Sequence, residues 1–203
     1  MQVLLSAPRA GSSYAYESIH AYNLTLPNVR YVGVEEFLDP TKTSLTLEQK
    51  IKFLEDKKLD GVNYTFKHHI NYLGDYYDTW FNNFYKDDEI IILKRRDTWK
   101  WFLSFLFQDS TNWTTAAVMK ADGIPNQLNI ITRINHDYNK SLEQFFTIKA
   151  QLDSTVGSVR YYEDLDIVSK KYYKLSNFID YEKYFDDIED IKIVFNKWKQ
   201  NYE

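Results

Sequence analysis

The chain has no cysteine in its 203 residues. That excludes disulfides, thiol nucleophiles and cysteine-ligated zinc, and it leans toward a reducing, cytoplasmic setting, the host's if the source is viral. No stretch approaches the roughly 20 apolar residues of a membrane span. The first residues show no basic segment followed by a long apolar one, so no signal peptide is expected. No charge sign dominates: 25 Lys and Arg face 29 Asp and Glu, a net charge of −4. A broad nucleic-acid or anionic-membrane surface is therefore not expected, although a local basic pocket is compatible. Internal repeats, low-complexity segments and linkers are absent, and no glycine follows Gly157. What remains is a hydrophobic fraction of 44% and a charged fraction of 27%, ordinary for a globular chain. The length suits one domain, residues 1–203, with a sizeable core.

The first twenty residues carry the most information. Val3, Leu4 and Leu5 form a short apolar run of the length of a buried strand. Ser6-Ala7-Pro8-Arg9-Ala10-Gly11-Ser12-Ser13 follows, and Tyr14 to Asn23 is compatible with a helix. A strand, a tight loop and a helix start together favour an anion, because loop amides and the helix dipole point at one place. Arg9 adds a full positive charge. An ATPase loop would carry a lysine directly after its last glycine, and Ser12 stands there instead. The bland alternative is an ordinary strand–turn–helix with a serine cap.

Further along, strand-like and helical segments alternate. Val29 to Val32, Val62 to His69, Glu89 to Leu93 and Val159 to Tyr161 read as strands. Gly33 to Ser44 reads as a loop holding Glu35 and Glu36. Thr46 with Gln49 resembles a capping box, followed by Leu47, Ile51 and Leu54 at helical spacing. Tyr76–Tyr85, Thr98–Phe107, Gln127–Ala150 and Ile191–Lys199 read as helices, and 109–126 as a long loop. Alternation of this kind predicts an α/β fold, a mostly parallel sheet flanked by helices. Ligands then bind beyond the carboxyl ends of the strands.

Two further clusters fall at such ends. Phe66 is followed by Lys67-His68-His69; histidine is suited to taking a proton near neutral pH, but a His-His pair can also bind metal or end a strand. Ile90-Ile91-Ile92-Leu93 is followed by Lys94-Arg95-Arg96-Asp97, and Ser104 lies eight residues after Arg96. Cations are disfavoured at a helix start, so a bound anion explains the arginine pair better than a solvated surface does.

Taken in order, these segments resemble the sulfotransferases that use 3′-phosphoadenosine 5′-phosphosulfate. Pro8, Arg9, Gly11, Ser12 and Ser13 match the family's 5′-phosphosulfate loop, with Ala10 in place of a common serine. Lys67 and His69 match its Lys-x-His. Arg96 and Ser104 match its 3′-phosphate motif, with Thr98 where a proline is frequent. Tyr161-Tyr162-Glu163-Asp164-Leu165 is similar to a late, mainly structural segment of the family. The resemblance covers Gln2 to Phe107 and Tyr161 to Leu165, and it implies a single-domain P-loop fold. It implies that Arg9, Ala10, Gly11, Ser12 and Ser13 hold the 5′-phosphosulfate and that Arg96 and Ser104 hold the 3′-phosphate. Lys67 would neutralise the leaving oxygen and His69 would deprotonate the acceptor, with 3′-phosphoadenosine 5′-phosphate as product. No metal is required. The acceptor would be a small molecule or glycan bearing a hydroxyl or amine. His68, Glu35 and Glu36 stay open as alternative bases. The family's glycine-rich closing loop has no counterpart here, so the adenine clamp must differ. A nucleotide-binding adaptor and a small kinase are the rival readings. Trp113 reads as packing or as a stacking surface, and His20 and His136 read as structural.

Overall fold

The computed structural model describes residues 1–23, 31–35, 37–39, 43–111, 138–165 and 180–202. The chain divides into two compact units, one of Met1–Arg96 with Gln151–Tyr173, the other of Asp97–Ala150 with Lys174–Glu203.

The first unit is built on a five-stranded sheet in the order β2-β3-β1-β4-β5. Its strands are β1 (Gln2–Ser6), β2 (Tyr31–Glu35), β3 (Asn63–His69), β4 (Glu89–Lys94) and β5 (Ser158–Tyr161). All four pairings are parallel. This is the α/β architecture that the alternating pattern predicts. β1 is central and wholly buried, as a run of apolar residues in a parallel sheet must be. The chain steps from β1 out to β2, returns to β3 beside β1, and then crosses to β4 on the other side. The order reverses around β1, so a ligand crevice belongs at its carboxyl end. The register brings Ser6 level with His69 on one side and Leu93 on the other.

Helix α1 (Ser12–Asn23) covers the sheet face of Gln2 and Thr65, to which the Asn23 amide donates at 2.6 and 2.9 Å. Helix α2 (Leu47–Leu59) opens on the expected capping box of Thr46 and Gln49 and buries Ile51 and Leu54. Side chains alternate along β3. Tyr64, Phe66 and His68 therefore share the face opposite α1, where successive rings stack.

Four expectations shift. Gly33 to Glu35 belongs to β2 instead of a loop, because Gly33 is a close-approach glycine: a Cβ there would lie 2.3 Å from the Tyr16 hydroxyl. The Tyr76–Tyr85 helix is a π-helical turn, Tyr77–Phe81, running into the short α3 (Asn82–Phe84). Helix α4 runs Thr98–Thr111, so Asp109 is helical; its carboxylate accepts from the Ser141 hydroxyl. Helix α5 is Tyr138–Ser154 and ends four residues later than its apolar spacing suggests. Val29, Arg30, Glu36, Trp113, His136 and the proposed helical stretch 127–137 lie outside the described residues.

The second unit holds α4, most of α5 and α6 (Ile188–Tyr202) around an aromatic core. Phe145 packs edge-on to Trp101 and Phe102, and Phe195 stacks on Phe102. Leu103, Phe107 and Tyr181 form an adjoining buried cluster.

Candidate anion site

The loop after β1 reverses hand twice. Arg9 has φ 63° and Gly11 φ 87°, while Ala10 between them stays on the ordinary side. Alternating left- and right-handed residues turn successive backbone N–H groups into an anion-binding concavity. A left-handed arginine is uncommon, and such residues concentrate at ligand sites. The Ala10 amide donates to the Ala7 carbonyl at 3.3 Å, and the Ala15 amide to the Gly11 carbonyl at 3.1 Å, the first turn of α1. Ala10 is fully buried and Ser12 nearly so.

The adjacent strand completes the site. Thr65, Lys67 and His69 share the face of β3 that α1 covers. Because α1 runs back along the strand, the later residues of β3 meet the start of the helix. Lys67, with no exposed surface, donates from Nζ to Ser13 Oγ at 2.9 Å. His69 Nε2 and Ser12 Oγ share a hydrogen bond of 2.9 Å. The Lys-x-His pair thus meets the two serines that open α1, across separations of 54 and 57 residues in the sequence.

His68 points to the opposite face. Its Nε2 shares a 3.0 Å hydrogen bond with the buried Tyr85 hydroxyl. Burial, and then the neighbouring His69, lower its pKa to about 3, so it is neutral and structural. Its burial and its bond to Tyr85 set it apart from the loop beside which Lys67 and His69 lie. His20 stacks on Tyr16 within α1, in keeping with a structural role. Glu35 closes β2.

The basic run after β4 is met by carboxylates. Arg96 makes a two-pronged pair with Asp164, and its guanidinium lies 4.3 Å from the Tyr161 ring centroid. The Arg96 amide donates to Glu163 at 3.1 Å. Arg95 Nε lies 3.9 Å from Glu163, and its guanidinium 5.0 Å from the Tyr162 ring centroid. Beside the bound anion and the solvated surface that the sequence offers, an internal acidic segment is thus a third partner for the arginine pair. Ser104 belongs to the second unit; 3% exposed, it donates to the Tyr181 hydroxyl at 3.3 Å.

Three features escaped the sequence. Ser6 is fully buried at the end of β1, and its hydroxyl has no hydrogen-bond partner among the described residues. The Tyr162 ring lies against Gly11, 2.2 Å from where a Cβ would be. Asp164 partners Arg96 although 68 residues separate them. Only the spelling Tyr-Glu-Asp hinted at the last two. Among the described residues, no group of three or more His, Asp or Glu side chains could hold a metal ion, and no helix is long and apolar enough to cross a membrane. No family model, curated protein or solved structure matches the chain.

Proposed function

We propose that the chain is a P-loop sulfotransferase. It would bind 3′-phosphoadenosine 5′-phosphosulfate at the loop after β1 and move the sulfonate to a hydroxyl or amine of a small-molecule or glycan acceptor. The observation that supports this most is the meeting of Lys67 and His69 with Ser13 and Ser12 at the start of α1. An anion in the loop would lie beside a buried cation and a base. Arg9 and Gly11 would cradle the 5′-phosphosulfate with backbone amides and Ser12 and Ser13 with hydroxyls, while Ala10, its amide turned to the Ala7 carbonyl, would shape the loop between them.

In the reaction the acceptor oxygen or nitrogen forms a bond to sulfur. The bond from sulfur to the bridging oxygen breaks, and 3′-phosphoadenosine 5′-phosphate leaves. Lys67 would neutralise charge growing on the leaving oxygen, and His69 would take the acceptor's proton after exchanging the Ser12 hydroxyl for it. As in phosphoryl transfer, positioning and charge stabilisation dominate. Arg96 would take the 3′-phosphate by giving up Asp164 for it. The resemblance pairs it with Ser104, which belongs to the second unit and donates to the Tyr181 hydroxyl.

The same two hydrogen bonds favour a second reading, in which Lys67 and His69 only hold the loop and the protein binds nucleotide without chemistry. A screen of hydroxyl and amine acceptors with sulfonate-labelled donor separates the two. Transfer supports the first; no transfer despite donor binding supports the second. Stronger stabilisation by ATP than by 3′-phosphoadenosine 5′-phosphate would favour a kinase instead.

A further inference from the structure

The ends of β4 and β5 do more than satisfy each other. We infer that Arg95 and Tyr162 are positioning residues that brace the anion loop in its binding shape before any ligand arrives. The inference rests on reading that loop as the anion site.

Three contacts carry it. Arg95 Nη1 donates a long hydrogen bond, 3.5 Å, to the carbonyl of Arg9, the residue held in the left-handed region. The Tyr162 ring lies on Gly11, the second left-handed residue, so closely that no side chain fits there. The Arg95 guanidinium in turn lies 5.0 Å from the centroid of that ring, and Glu163 flanks it at 3.9 Å. Tyr14, in the first turn of α1, meets the Tyr162 ring edge-on at 6.1 Å. One aromatic ring therefore touches the loop, the helix it feeds and the arginine.

The register explains the arrangement. β4 and β5 pair through Lys94 and Tyr161. The next residue on each strand is Arg95 or Tyr162, and both emerge beside the loop that leaves central β1. A left-handed arginine is intrinsically unfavourable, so the loop needs outside support to keep it. A planar guanidinium supplies this well, because it can stack on a ring and donate to a carbonyl at once. Both side chains are almost wholly buried: Arg95 is 8% and Tyr162 5% exposed. A loop held in this way binds an anion without first having to order itself.

The test is amide hydrogen exchange of the ligand-free protein, read at Ala10 and Gly11, with Leu4 in β1 as reference. Arg95→Ala should speed exchange at Ala10 and Gly11 at least tenfold more than it speeds exchange at Leu4. It should also weaken pyrophosphate binding by about tenfold. Tyr162→Leu, which removes the ring, should reproduce Arg95→Ala. If Arg95→Ala does not fold, Tyr162→Leu is read in its place with the same expectation. Wild-type exchange at Ala10 and Gly11 in the variant that is read overturns the brace, whatever happens to binding. If the wild-type protein binds neither pyrophosphate nor 3′-phosphoadenosine 5′-phosphate, the anion-site reading fails, and the exchange comparison still decides whether the brace exists.

Discussion

Ser12 Oγ and His69 Nε2 stand 2.9 Å apart, joining the first turn of α1 to the last residue of β3. The serine belongs to the loop that would hold the donor, and the imidazole to the group that would take the acceptor's proton. Either bond partner can be the donor, according to the imidazole tautomer. If His69 is the base, His69→Ala should lower turnover by about 10²–10⁴-fold with donor binding nearly unchanged. Steady-state kinetics with labelled donor, alongside calorimetry of donor binding, gives both numbers. Full activity in the variant, with Glu35→Gln or Glu36→Gln inactive, would move the base to a carboxylate.

Lys67 brings a cation to the same place with no exposed surface. Lys67→Met keeps the length and apolar stem and removes the charge. Affinity for pyrophosphate should fall by about 1.5–3 kcal/mol, the range for a hydrogen bond to a charged group. Calorimetric titration measures it, and an unchanged affinity would place the anion elsewhere.

The Arg96–Asp164 pair leads to a prediction of opposite sign. Asp164 engages the guanidinium with two oxygens, as a phosphate would, so its carboxylate would compete with a 3′-phosphate bound there. Both side chains are about half exposed, and such pairs are worth about 0.2–1 kcal/mol. Asp164→Asn should therefore tighten binding of 3′-phosphoadenosine 5′-phosphate by up to about fivefold and leave AMP unaffected. Arg96→Ala should weaken the former by about 1.5–3 kcal/mol. Equal affinity for the two nucleotides in the wild-type protein would remove the 3′-phosphate role from Arg96.

His68 predicts a pH dependence of stability. Its folded pKa is lowered to about 3, against an ordinary value of 6.5. Between these values the unfolded chain binds a proton and the folded chain does not, so stability is fully present above about pH 6.5 and is lost as pH falls toward 3. The slope is about 1.4 kcal/mol per pH unit. Urea unfolding at pH 7 and pH 5 measures it. His68→Gln, which keeps a partner for Tyr85, should lose less stability over that interval. The same fall in both proteins would show that other groups dominate.

Local chemistry wrote much of this protein into its sequence. The apolar run of β1, the Thr46–Gln49 capping box and the Ile90–Ile92 strand follow from propensity and burial, which act over a few residues. Alternation along β3 puts Lys67 and His69 on one face and His68 on the other once the strand is in place. Gly33 reads as the start of a loop in the sequence, because its place in β2 depends on the close approach of Tyr16 and His20 from another element. What only the tertiary structure decided is who meets whom across the sheet. The order β2-β3-β1-β4-β5 sets β3 and β4 on either side of the loop strand. That order joins Ser12 to His69, rests Tyr162 on Gly11 and brings the Asp164 carboxylate to Arg96. Contacts between residues 57 to 151 positions apart leave no periodicity in a sequence, because they depend on strand register and order, which are settled when the whole sheet assembles.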